Sequence, residues 1–195
     1  LRMAYMRLKS DPRLVDIFLR REYPGRIAIH VEEKRPIAYI QLDRMYGLDE
    51  VASAIPISTT ERLPDLPVIT GCRNLKPEML QQGNDEDIIP FADDYVPVIQ
   101  AIYIIEKLRA YSPEMLKKIS EIYMAHPDDP VLFTTGDGMA IRIGVGNLND
   151  KFVRLEQMLH RLKKEGIKTP TIDLRFRDQV IIRPITTVKQ PETQS

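Results

Sequence analysis

The spacing of apolar and polar positions in this chain changes several times, and each change marks an element. From Leu1 to Lys9, Tyr5 and Leu8 share one face of a predicted helix. Asp11-Pro12 stops it, because a residue before proline avoids helical backbone. Val15, Ile17 and Leu19 then alternate with Asp16 and Arg20 in a strand, where Phe18 implies partial cover on both faces. Pro24-Gly25 turns the chain. Ile27, Ile29 and Val31 alternate with Arg26, His30 and Glu32 in a second strand, and Ala28 fits either face. Pro36 lacks an amide donor and breaks the ladder, and Ile37 to Leu42 makes a third strand. Residues 1–55 thus read as a helix plus a three-stranded sheet.

Pro56, Pro64 and Pro67 mark residues 56–71 as a connection, and residues 72–185 form a second unit. Its acidic stretch 81–94, with Gly83, Asn84 and Pro90, reads as a surface loop. Pro97 suits a first helical residue, and Val98, Ala101, Ile102, Ile105 and Leu108 follow at helical spacing. Ser112 caps a short helix at Pro113-Glu114. Ile119–Ala125, Val131–Thr134 and Met139–Val145 are strands, the last two joined at Gly136-Asp137-Gly138. A helix carries Phe152, Leu155, Met158, Leu159 and Leu162, capped by Asn147 or Asn149 and ended by Gly166.

The closing elements are the most informative. Ile172, Leu174 and Phe176 alternate with Asp173 and Arg175, a half-buried strand; Arg177-Asp178-Gln179 turns; Val180-Ile181-Ile182 is a last strand. On it Val180 and Ile182 face inward, and Ile181 and Arg183 face the other way. No later strand follows to cover it, and residues 186–195 are polar and read as a disordered tail. An apolar edge strand is either blunted or used to recruit another chain. The fold class is α+β, the second unit carrying a mixed or antiparallel sheet flanked by helices.

Composition narrows the function. Lys and Arg together number 28, as do Asp and Glu, and this neutral balance argues against nucleic acid as a partner. The longest basic cluster, Arg161, Lys163 and Lys164, reads as a solvated helix face. The single cysteine, Cys72, has no histidine near it in sequence and cannot form an internal disulfide. No stretch reaches the ~18 apolar residues of a membrane span, and no signal peptide is visible. The chain opens at Leu1, inside a helix, and reads as a fragment, which leaves room for a membrane anchor upstream.

Catalytic patterns are sought and not found. His30, His126 and His160 lie far apart without metal-ligand spacing. Asp128 and Asp129, between Pro127 and Pro130, read as a turn. Gly144-Val-Gly146 lacks the third glycine and the Lys-Ser/Thr of a phosphate loop and reads as a strand-to-helix junction. These readings give no catalytic residue, no metal and no cofactor.

The order of motifs resembles the FtsQ/DivIB cell-division family. Val15 to Pro24, then Ile27-Ala-Ile-His-Val-Glu-Glu-Lys-Arg-Pro-Ile-Ala38, is similar to the second half of that family's POTRA domain. Leu66-Pro-Val-Ile-Thr-Gly71 resembles its Leu-Pro-x-Leu/Ile-x-Gly link. Ile119-Ser-Glu-Ile122, Gly144 to Lys151 and Ile172-Asp-Leu-Arg-Phe176 are similar to its β domain in order and spacing, the last being the most specific. The resemblance implies a partial POTRA domain over 1–55, lacking its first strand and helix, a linker over 56–71 and an FtsQ-type β domain over 72–185. It also implies a non-catalytic divisome scaffold, single-pass in the inner membrane, with the bulk extracytoplasmic at the septum. The anchor would precede this chain. Implied partners are FtsB or DivIC and FtsL-like proteins, with other divisome proteins reaching the POTRA domain. By the resemblance Arg175 and Phe176 lie beside the partner site, and Val180, Ile181, Ile182 and Arg183 form the recruiting strand. Two rivals are a POTRA-type chaperone or assembly module of an outer-membrane or secretion system, and an uncharacterised hydrolase.

Overall fold

The computed structural model describes residues 2–57, 63–80, 93–167, 171–177 and 179–183. Helix α1 (Arg2–Lys9) precedes an antiparallel hairpin of β1 (Leu14–Glu22) and β2 (Arg26–Glu33). The alternation read at residues 15–31 does produce two paired strands, with Ile17 opposite Val31 and Leu19 opposite Ile29. Val15, Phe18, Ile27, Ile29 and Val31 remain substantially exposed on them.

The remaining strands are β3 (Ala38–Gln41), β4 (Met45–Leu48), β5 (Ala54–Pro56), β6 (Val68–Thr70), β7 (Ile119–Tyr123), β8 (Val131–Thr134), β9 (Ala140–Arg142), β10 (Thr171–Asp173) and β11 (Ile181–Arg183). Among the described residues they form one nine-stranded mixed sheet in the order β11-β10-β9-β8-β7-β6-β3-β4-β5. The third strand expected to complete the N-terminal unit therefore lies elsewhere. β3 pairs antiparallel with β4 and parallel with β6, not with the hairpin. The physical reason is burial: Ala38, Tyr39 and Ile40 are all buried, whereas β1 and β2 have no fully buried position to offer. The break in strand pairing falls between Glu33 and Ala38 rather than at residue 55, and the presumed connection contributes β6 to the same sheet. The expected tail at 186–195 and most of the loop at 81–94 lie outside the described residues.

A single cross-strand row organises the core. Pro56, Tyr46, Ile40, Ile69, Ile122, Leu132, Ile141, Ile172 and Ile182 stand opposite one another in successive strands. Ile40, Ile69, Ile122, Leu132, Ile141 and Ile172 are fully buried. The same hydrophobic cluster includes α2 (Val96–Tyr111) and α4 (Leu148–Glu165). α2 contributes Val98, Ala101, Ile105 and Leu108, and α4 contributes Phe152, Leu155 and Leu162. The two helices meet at Tyr111 and Phe152, whose ring centroids are 5.7 Å apart.

Local signals set the helix ends. Asn147 accepts the Asn149 amide at 3.1 Å, and Gly166 closes α4 at φ +64°, where a side chain would be strained. Ser112 caps α3 (Pro113–Leu116) by accepting from the Met115 amide at 3.2 Å. Pro97 is the second residue of α2 rather than the first.

Candidate partner-binding edge

Among the described residues β11 is the terminal strand of the large sheet, and β10 is its one neighbour there. The direction of its backbone follows from the ladder beneath it. The Leu174 amide donates to the Arg142 carbonyl at 2.8 Å, so Ile172 and Leu174 turn their amides toward β9. Thr171 and Asp173 consequently face β11, where their partners are Arg183 and Ile181. Ile182, between those two, directs its backbone N–H and C=O away from the sheet. Its side chain packs against the core with that of Val180, as their alternation predicts. Ile181 points to the opposite face and is 37% exposed.

Phe176 behaves differently from the alternation read in the sequence. β10 ends at Asp173, the chain bends, and Phe176 leaves the face shared by Ile172 and Leu174 to stand 46% exposed. Arg154 of α4 fixes that bend, donating to the carbonyls of Phe176 at 2.9 Å and Arg177 at 2.7 Å.

Arg175 is committed to an intramolecular network. Its guanidinium grips both oxygens of Asp173, with Nε at 3.0 Å from Oδ1 and Nη2 at 2.7 Å from Oδ2. A further bond reaches Asp129 Oδ2 at 3.2 Å, an oxygen that Arg142 shares. Hydrogen bonding from Arg175 holds the Asp173 carboxyl below the ordinary carboxylate range, against the opposing effect of burial. Asp129 therefore sits in the expected turn, bonded through its amide to the His126 carbonyl, but also anchors two arginines. Gly144, at φ +56°, makes room for this arrangement: a Cβ there would stand 2.8 Å from Arg175 Cγ.

Sequence reasoning passed over Lys151. It lies on the core side of α4, is 4% exposed, and donates to the carbonyls of Ile143 and Val145, both at 2.5 Å. Burial depresses its pKa. The signal in the sequence was its place one residue before Phe152 in the apolar stripe.

Elsewhere, chemistry is sparse. Burial pushes the Cys72 thiol up to about 11, which suppresses the nucleophilic thiolate. Among the described residues no group of three His, Cys, Asp or Glu side chains is placed to hold a metal ion. No helix among them is long and apolar enough to cross a membrane.

Comparison with known proteins decides the relationship. The family model for the FtsQ/DivIB cell division protein C-terminal region matches residues 38–175. The chain belongs to the FtsQ/DivIB family. The match begins at Ala38, the first residue of β3, where strand pairing passes from the hairpin to the large sheet. The chain is also similar to the cell division protein FtsQ of Geobacter sp. (strain M21), 25% identical over 95% of this chain and 64% of the relative. It is 26% identical to FtsQ of Anaeromyxobacter sp. (strain K), over 96% of this chain and 61% of that protein. FtsQ of Koribacter versatilis is 27% identical over 83% of this chain and 44% of its own length. The chain thus spans a little under two thirds of the first two of these FtsQ-family relatives.

Proposed function

We propose that this chain is the extracytoplasmic part of a non-catalytic scaffold of bacterial cell division. It recruits an FtsB- or DivIC-type partner, with FtsL, by accepting a strand along β11. In this reading the whole protein sits at the septum, held in the inner membrane by a single N-terminal span outside this chain. Its hairpin unit, read as part of a POTRA domain, meets other division proteins.

The observation that carries the proposal is the direction of the Ile182 backbone. At the end of a continuous apolar row, this residue turns an amide and a carbonyl outward beside exposed Ile181. An added strand would satisfy those groups, at about 0.5–1.5 kcal/mol net for each hydrogen bond. Its side chain opposite Ile182 would extend the row, and alternate positions would supply selectivity. Membership of the FtsQ/DivIB family supports the division role.

The test is a titration of the labelled chain with a synthetic peptide from the C-terminal region of the FtsB-like protein of the same genome. Binding should perturb the amides of residues 181–183 first and leave β5 unperturbed. A peptide that binds without affecting β11, or does not bind, overturns the reading.

A further inference from the structure

We propose that Lys151 and Arg154, one helical turn apart on α4, are positioning residues. They hold the loops leaving β9 and β10 and so fix where the edge strand lies before a partner arrives. The inference deepens the strand-addition reading and rests on it for its functional meaning, though not for its geometry.

The loop after β9 cannot hold its own shape by strand pairing. Gly144 and Gly146 adopt φ +56° and +112°, and the carbonyls just before each of them, those of Ile143 and Val145, face Lys151. Lys151 collects them. Its ammonium lies 2.5 Å from the oxygens of both Ile143 and Val145, and an ion in so buried a place is tolerated only with such acceptors. The loop held in this way is the seat of Arg175, whose stem lies against the bare Cα of Gly144. Arg175 then grips Asp173, the last residue of β10 and the one opposite Ile181.

Arg154 acts one step farther along. A single guanidinium nitrogen, Nη1, takes the carbonyls of Phe176 and Arg177 at 2.9 and 2.7 Å, at the bend from which the chain returns as β11. The platform under both side chains is rigid, because Phe152 and Leu155 between and beside them are fully buried. β11 itself has three residues and, among the described residues, one neighbouring strand. Ordering such a strand in advance removes a conformational cost that binding would otherwise carry.

The test uses the 195-residue chain and two readouts, amide hydrogen exchange and affinity for the strand peptide described above. In Arg154→Ala, the amides of Ile181 and Arg183 should exchange at least tenfold faster while that of Ile122 in β7 keeps its rate. Peptide affinity should fall about tenfold, mainly through slower association. Lys151→Met, which keeps the buried stem and loses the carbonyl bonds, should act in the same direction. Arg154→Lys should recover part of the loss. Unchanged exchange at Ile181 and Arg183 in Arg154→Ala overturns the proposal, and so does an equal acceleration at Ile122, which would report only lost global stability. Should Lys151→Met fail to fold, the partly exposed Arg154 carries the test alone. If the wild-type chain ignores the peptide while Arg154→Ala still loosens β11, strand addition fails and the clamp stands.

Discussion

The two ends of the nine-stranded sheet are alike in length and opposite in character. β5 and β11 each have three residues, and both close the same apolar row. At one end the row finishes on Pro56, which has no amide to offer, and the neighbouring Ala54 and Ile55 are 3% and 8% exposed. At the other it finishes on Ile182, which directs both backbone groups outward, with Ile181 exposed beside it. One edge ends on a proline beside buried residues; the other, among the described residues, has no strand paired to its outer side. On the strand-addition proposal, being last in a sheet is not enough to make a docking strand. What matters is which residue holds the outward-facing position, and whether anything lies over it.

The comparison breaks most sharply with proline. Ile182→Pro removes the outward amide while leaving the bonds of Ile181 and Arg183 to β10, so peptide binding should fall beyond a hundredfold in a folded chain. Ile55→Pro at the opposite edge should leave the folded fraction binding normally and cost stability instead, about 2–5 kcal/mol, because Ile55 is buried and its amide faces Gly47 of β4. Calorimetric titration paired with urea unfolding separates the two, and a reversal of these effects would show that the edges have been assigned the wrong way round. Ile181→Pro is a poorer probe, because Ile181 gives its amide to Asp173 and the change would detach β11 itself.

Phe176→Ala sharpens the contrast next. If exposed Phe176 is an interface anchor, as the proposal has it, its loss should cost about 1–3 kcal/mol of peptide affinity and almost nothing in stability. Equal affinity in the variant would remove Phe176 from the interface.

Asp173→Asn tests the network under β11 through pH. A carboxyl whose folded value is depressed stabilises fully above its unfolded value, ~3.9, and loses that contribution as pH falls through the lower folded value. Wild type should therefore shed this contribution below about pH 4, and Asp173→Asn should lack that part of the acid limb. Thermal melts from pH 2 to pH 6 decide it; parallel curves would show that Arg175 lends Asp173 no stability. The smallest effect belongs to Pro56→Ala, within about 0.5 kcal/mol in stability. It should create no second peptide site, since β5 stays covered. Appearance of one would mean that proline alone closes that edge.

Much of the fold was legible because its signals are local. Asn147, Ser112 and Gly166 specify helix ends through bonds or backbone angles within a few residues. The turn at residues 136–138 needs two positive φ values, +85° and +63°, and has a glycine at each. The inward side chains of Val180 and Ile182 followed from simple alternation. Phe176 did not, because β10 stops three residues before it and an arginine on a distant helix bends the chain there. Lys151 was missed because lysine reads as a solvated residue until two carbonyls are seen turned toward it. Asp129 looked like turn chemistry alone, and its second role depends on Arg175, 46 residues away.

By itself, then, the order of residues determined the helices and their caps, most of the strands and a motif series sufficient to indicate the family, but not β4, β5 or β6. Tertiary structure alone decided which sheet β3 joins, which edge is covered, and that the backbone of Ile182 rather than Ile181 faces outward. The division has a physical cause. Helix ends and strand alternation depend on backbone conformation a few residues long. Sheet order and edge exposure depend on how distant apolar faces are shared out, and only the folded chain settles that competition.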